Sequence, residues 1–137
     1  MSAGLVVDAS VTASWFLPDE GTPYTEAILQ ATADSDVWVP AIWLLEMGNL
    51  LLSAQRRRRI DEAKRREFVD AASNLRLRID REPVPMPEID AIAARHALTA
   101  YDAAYLELAL RRRLHIATTD AALLKAIRVA GVKLADF

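Results

Sequence analysis

Leu5-Val6-Val7-Asp8-Ala9-Ser10-Val11-Thr12-Ala13-Ser14-Trp15-Phe16-Leu17 decides the fold. Three consecutive apolar residues, two of them β-branched, read as a short strand buried on both faces. The run stops at an acid. Ser10 is placed to cap a short helix that runs through Leu17 and is halted by Pro18. A strand that passes directly into a helix is the unit from which parallel sheets are built.

The same alternation continues outward from that stretch. A helix is expected from Pro23 to Ala33, with proline in its first turn, then a strand at Val37-Trp38-Val39 closed by Pro40. Helical periodicity covers Ala41 to about Arg57 and Asp61 to about Leu75, followed by a strand over Leu77–Asp80. The proline-spaced segment Pro83-Val84-Pro85-Met86-Pro87 reads as a tight loop. Two more helices are expected over Glu88–Leu98 and Ala100–Arg112, then a strand at Leu114–Thr118. A helix over Ala121–Ala130 ends before Gly131, and Val132–Ala135 reads as a last strand. The pattern predicts an α/β fold of three layers, a mainly parallel central sheet with helices on both faces. Ligand clefts in such sheets lie beyond the carboxyl ends of the strands.

The chain has 137 residues, a length that suits a single domain spanning 1–137 with a real core. Hydrophobic residues make up 53% and charged residues 26%, as in ordinary globular proteins. No apolar run approaches a membrane span, and no basic-then-apolar signal pattern opens the sequence, so no membrane role and a cytoplasmic location are expected. With no cysteine, disulfides, thiolate zinc sites and cysteine nucleophiles are excluded. His96 and His115 are isolated and form no ligand pair at metal spacing. Gly4, Gly21, Gly48 and Gly131 are scattered, so neither a phosphate-cradling loop nor a dinucleotide fingerprint is present.

Against this background four acids sit where acids are least expected. Asp8 closes the first strand, Glu46 interrupts Ile42-Trp43-Leu44-Leu45, Asp102 opens Tyr101-Asp102-Ala103-Ala104-Tyr105-Leu106, and Asp120 joins the late strand to the last helix. A carboxylate forced toward a core must be protonated, paired or bound to a cation. Each acid also has an ordinary structural reading. Asp8 can cap the first helix, although Ser10 can do so itself. Glu46 can lie at the solvent edge of its helix, where Ile42, Asn49 and Leu50 share its face. Asp102 complements the helix dipole in a first turn, with Leu106, Ala109 and Leu110 continuing its face. Asp120 has the form of a helix N-cap, with Thr118 and Thr119 beside it. If the four converge, an oxygen-only donor set selects Mg²⁺ or Mn²⁺ over zinc or copper. Such a metal site suits phosphodiester hydrolysis.

Val6-Val7-Asp8-Ala9-Ser10, Leu44-Leu45-Glu46-Met47-Gly48-Asn49, Tyr101-Asp102-Ala103-Ala104-Tyr105-Leu106-Glu107-Leu108-Ala109 and Ala117-Thr118-Thr119-Asp120 occur in this order. In order and spacing the chain resembles the PIN domains, and among them the VapC-type toxins of toxin–antitoxin pairs, from Val6 to about Val132. The resemblance implies a Mg²⁺- or Mn²⁺-dependent endoribonuclease. By position, Asp8, Glu46, Asp102 and Asp120 match the metal-binding, catalytic acids, and Ser10, Asn49 and Thr118 or Thr119 match supporting polar residues. It also implies a homodimer and a VapB-like antitoxin that blocks the site, with operator DNA bound only through the antitoxin. No acid of the set is replaced by a neutral residue. Thr119, directly before Asp120, falls at a variable position.

The net charge of −2 conceals a block structure. Residues 1–52 hold seven acids and no lysine or arginine, whereas residues 53–81 hold ten basic residues against five acids. No basic side chain near in sequence can therefore neutralise Asp8 or Glu46. Arg56-Arg57-Arg58-Arg59, at the end of the Glu46 helix, reads either as a solvated helix end or as a contact for an RNA backbone or an acidic antitoxin tail. Trp15, Trp43, Tyr101 and Tyr105 fit a core or dimer interface better than base stacking. Two other enzyme readings place an Asp near a strand end. Haloacid dehalogenase-like phosphatases usually carry Asp-x-Asp, whereas Ala9-Ser10 follows Asp8; receiver domains carry an acidic pair, whereas Val7 precedes Asp8. A non-catalytic binding module, its acids serving as caps, is the alternative from another class.

Overall fold

A computed structural model describes residues 4–137; residues 1–3 of the expected domain lie outside the described residues. Among these residues four strands, β1 (Leu5–Val7), β2 (Val37–Pro40), β3 (Arg78–Asp80) and β4 (His115–Ala117), pair in the order β3-β2-β1-β4, and every pairing is parallel. Leu5 stands opposite both Val37 and His115, which makes β1 an interior strand of the sheet. Side chains alternate across the pleat, so neighbours on β1 serve different cores. Val6, Val39 and Ile116 enter one buried cluster, while Leu5, Val7, Val37 and Ala117 enter a second. The expected α/β fold, with a mainly parallel sheet between helical layers, is the one observed, and its strand pairings are all parallel.

Among the described residues seven helices connect and cover the strands: α1 (Ala9–Ser14), α2 (Pro23–Ala31), α3 (Trp43–Arg56), α4 (Glu62–Ser73), α5 (Met86–His96), α6 (Ala100–Arg112) and α7 (Ala121–Ala130). The larger cluster takes Trp43, Met47 and Leu51 from α3, Tyr105 and Leu106 from α6, and Leu123 and Ile127 from α7. The smaller takes Val11 from α1 and Ile28 from α2. Helix α6 packs across β1, β2 and β4, so whatever its first turn carries is set against the carboxyl end of the sheet. None of the helices among the described residues is long and apolar enough to cross a membrane.

Three expectations need correction. Val132–Ala135 does not form a full strand: only the bridge Ile116–Leu134 pairs, held by Ile116 N donating to Lys133 O and Ala135 N to Ile116 O. Helix α5 begins at Met86 rather than Glu88, because a proline in the first helical turn has no amide hydrogen to lose and is tolerated there. Helix α1 is capped by Asp8, not Ser10. Asp8 keeps extended backbone (φ −79°, ψ 164°) and helical structure starts at Ala9, so Ser10 already lies inside the first turn.

One ion network clamps the far end of α6 to the edge strand β3. Arg111 donates through both terminal nitrogens to the two oxygens of Asp80 (3.1 and 2.6 Å) and through Nε to Glu107. Arg112 also donates to Asp80 Oδ1 at 3.0 Å and lies 3.8 Å above the Trp38 ring. Asp80 and Glu107 are both buried. Hydrogen bonds from Arg111 hold the Asp80 carboxyl below the usual carboxylate range.

Candidate active site

Asp8, Glu46, Asp102 and Asp120 line one cleft of about 610 Å³ at the carboxyl edge of the sheet. Each is delivered by a different element. Asp8 follows β1 directly and is buried at 6% exposure. Its Oδ1 accepts hydrogen bonds from Ser10 Oγ (2.8 Å) and Val11 N (2.9 Å), and its Oδ2 accepts one from Thr118 Oγ1. Glu46 lies in the first turn of α3, half-buried, and its Oε1 accepts from the Tyr105 hydroxyl at 2.7 Å. Asp102 lies in the first turn of α6, where its backbone N donates to the capping Thr99 Oγ1 at 3.1 Å. Asp120 is exposed and caps α7, with Leu123 N donating to its Oδ2 at 2.9 Å.

Capping and cleft-lining thus coincide at Asp8 and Asp120. A cap uses one carboxylate oxygen and a strand-to-helix connection lies at the sheet's carboxyl edge, so the two roles do not compete. Thr118 joins them, donating to Asp8 while accepting from Asp120 N at 3.0 Å. Among the supporting residues, Ser10 and Asn49 line the cleft with the acids. Thr119 is exposed and does not line it.

The pKa shifts of Asp8, Glu46 and Asp102 have one sign. Burial raises the pKa of Asp8, of Glu46 and of Asp102, and each is raised further by its neighbours: Asp8 by Asp120, Glu46 by Asp102 and Asp8, Asp102 by Asp120 and Asp8. Among the described residues no lysine or arginine forms an ion pair with any of the four. Asp80 and Glu107, the other buried acids, are both paired with Arg111. The fold neutralises its structural buried acids and leaves the cleft acids uncompensated. The later arginines do not fold back onto Asp8 or Glu46. Among the described residues no three acidic or histidine side chains are drawn tightly enough to hold an ion as they stand.

These opposite shifts set the dependence of stability on pH when divalent cations are chelated. For Asp8, Glu46 and Asp102 the folded pKa lies above the unfolded one, so the folded state binds more protons and stability rises as pH falls toward about 4. For Asp80 the folded pKa lies below, so its contribution is present above about pH 4 and is lost as pH falls through the folded value. Melting temperatures in chelator should therefore peak in mildly acidic buffer. A steady decline from neutral pH downward would contradict this balance.

Aromatic side chains divide sharply. Trp43 and Tyr105 are buried, and Trp15 donates through Nε1 to Thr25 O at 2.9 Å, in line with structural roles. Tyr101 is 58% exposed on the cleft beside Asp102, with Leu45 also exposed there. The hydroxyl of Tyr105 is the feature that residue-by-residue reading missed. Its spacing of three from Asp102 on a helix was the available signal, but its partner lies on another helix. The arginine run divides as well. Arg59 donates to Glu20 (2.6 Å) and to Pro18 O (2.8 Å), whereas Arg56, Arg57 and Arg58 are exposed and make no ion pair among the described residues. Ten residues of helix separate Glu46 from Arg56, about 15 Å along α3, with Asn49 and Ser53 lining the cleft between them.

Comparison with known proteins gives this arrangement a family. The PIN domain profile matches residues 5–129. The chain belongs to the PIN domain family. Solved structures with the same fold include PAE2754 from Pyrobaculum aerophilum, 22% identical over 96% of this chain and 98% of that one, with a TM-score of 0.70. FitAcB from Neisseria gonorrhoeae is 18% identical over 96% of each chain, with a TM-score of 0.67. VapC20 from Mycobacterium tuberculosis, a sarcin-ricin-loop-cleaving toxin, is 15% identical over 98% of this chain and all (100%) of that one, with a TM-score of 0.65. A search of curated proteins finds no match. In this PIN domain the four cleft acids all fall within the matched residues.

Proposed function

We propose that this PIN domain is a divalent-metal-dependent endoribonuclease, the VapC-type toxin of a toxin–antitoxin pair. The observation that carries the reading is a contrast among its acids: the buried Asp80 and Glu107 have arginine partners, and among the described residues the four acids of the cleft have none. Mutual repulsion among them is relieved by a cation from solution. The donor set is all oxygen, which fits Mg²⁺ or Mn²⁺, with Asp8, Glu46, Asp102 and Asp120 as the residues that would hold it. Bound there, such an ion would supply Lewis-acid stabilisation of phosphoryl oxygens and a more acidic water.

The chain's own residues do the positioning. Ser10, Val11 N and Thr118 fix the Asp8 carboxylate, so it is presented in one orientation. Asn49 and Ser53 continue a polar track along α3 toward Arg56, Arg57 and Arg58, whose charge suits a phosphate backbone leaving the cleft. Arg59 is already engaged with Glu20 and Pro18, so we assign it a weaker part in RNA binding. Tyr101 and Leu45 offer apolar surface to an unstacked base, a feature of single-stranded RNA.

Support for the biological setting comes from the neighbours. Solved relatives of the fold include a toxin–antitoxin complex from Klebsiella pneumoniae (TM-score 0.58, 18% identity) and FitAB bound to a DNA fragment (TM-score 0.63, 17% identity). By analogy we propose a VapB-like antitoxin partner, contact with operator DNA only through it, a homodimer, a single PIN domain over residues 1–137 and action in the cytoplasm. Incubation with total RNA tests the activity. Discrete fragments are expected with Mg²⁺ or Mn²⁺ and none with excess chelator, while a small phosphomonoester stays intact. Absence of cleavage with every divalent metal would favour a non-catalytic binding module.

A further inference from the structure

Tyr105 is 1% exposed, so its hydroxyl has no access to bulk water and needs a partner inside the protein. That partner is Glu46 Oε1, at 2.7 Å, 59 positions away in sequence and on a different helix. A phenylalanine would fill the same space without burying a polar atom. The hydroxyl therefore does something for Glu46 that core packing does not require. Glutamate has three rotatable side-chain bonds, and Glu46 is only half-buried, so packing alone leaves its carboxylate free to sample several orientations. A single short hydrogen bond from a rigid, buried ring removes that freedom at one oxygen. The other oxygen remains for the cleft.

Helix α6 carries Tyr105 three residues after Asp102, one turn along. One helix thus delivers an acid to the cleft and the phenol that aims a second acid supplied by α3. Asp8 has its own holders in Ser10, Val11 N and Thr118, and Asp120 is held by Leu123 N. Tyr105 completes this set for Glu46. We infer that Tyr105 is a positioning residue: its hydroxyl fixes one oxygen of Glu46 so that the other is presented to a divalent cation in the cleft. The inference rests on the proposed metal-dependent reading of the site.

The test is calorimetric titration of Mn²⁺ into the wild-type chain, Tyr105→Phe, Glu46→Gln and the double variant, with melting temperatures measured in chelator. Tyr105→Phe should weaken Mn²⁺ binding by about 10–100-fold, the range for groups that orient a metal ligand, while the chelated melting temperature stays close to wild type. RNA cleavage by Tyr105→Phe should recover as Mn²⁺ is raised, which a purely structural lesion would not show. In the Glu46→Gln background, adding Tyr105→Phe should leave affinity unchanged, because the orienting bond has no carboxylate left to act on. Wild-type affinity in Tyr105→Phe overturns this inference and leaves the metal-site reading standing. Equal additional weakening in the Glu46→Gln background also overturns it. No binding by the wild-type chain overturns both.

Discussion

Asp102→Asn should leave the fold intact and reduce metal-dependent RNA cleavage by more than about 100-fold, beyond what loss of an outer-shell partner usually costs. Asparagine keeps the size of the side chain, and the α6 cap is unaffected because Thr99 receives its hydrogen bond from the residue-102 backbone nitrogen. Only charge and one ligand oxygen are lost. Burial and the charges of Asp120 and Asp8 all disfavour the Asp102 carboxylate, so its removal relieves strain in the metal-free protein. The chelated melting temperature should equal or exceed that of the wild type. A variant that is inactive yet at least as stable is the mark of a residue kept for function against stability. Undiminished cleavage by purified Asp102→Asn, with contaminating nucleases excluded, would sink the nuclease assignment.

Arg111→Ala should have the largest effect on stability, about 3–5 kcal/mol, because it leaves buried acids without their main counter-ion. Arg111 alone reaches Asp80, Glu82 and Glu107, and the Asp80 and Glu107 side chains are only 5% and 9% exposed. Arg112 still reaches Asp80 and Glu82, which spares those two partners but not Glu107. The corresponding fall in melting temperature is about 10–20 °C for a chain of this size. A useful control is Arg66→Ala. Arg66 and Glu62 are 70% and 61% exposed and one helical turn apart, so the loss should stay within about 0.5 kcal/mol. If chemical denaturation gave equally small losses for both variants, the clamp at the far end of α6 would be no more than a surface pair.

The parts of the fold written in local chemistry were legible from the sequence. Helices α6 and α7 have the boundaries expected for them, since Thr99 caps the one and Gly131, at φ +76°, ends the other. The parts decided by partners were not. Val132–Ala135 has the composition of a strand, but only Leu134 finds a bridge, to Ile116, at the edge of the sheet. Asp8 and Ser10 are both good capping residues, and their identities alone do not say at which of them extended backbone gives way to helix. The proline-rich segment before α5 has the same ambiguity, because proline both terminates structure and starts helices.

The cleft followed the same division. Each of its four acids follows a strand or opens a helix at the carboxyl edge, a placement that can be read along the chain. Tyr105 could not be read that way, because its role depends on Glu46 meeting it from α3. Nor could the pairing of Asp80 with Arg111 and Arg112, which joins an edge strand to the end of α6. That pairing gives the buried Asp80 a partner at the far end of α6, away from the cleft acids. Arg59 is a further case: four consecutive arginines look equivalent in sequence, and one of them is bound to Glu20.

The most direct test of a cation-binding cleft is calorimetric titration of Mn²⁺ into the chelator-treated protein, repeated with Asp102→Asn. Saturable binding is expected for the wild-type chain, with affinity lost or lowered at least about tenfold in the variant. No binding up to millimolar Mn²⁺, or identical binding by the two proteins, would contradict a metal site built from Asp8, Glu46, Asp102 and Asp120.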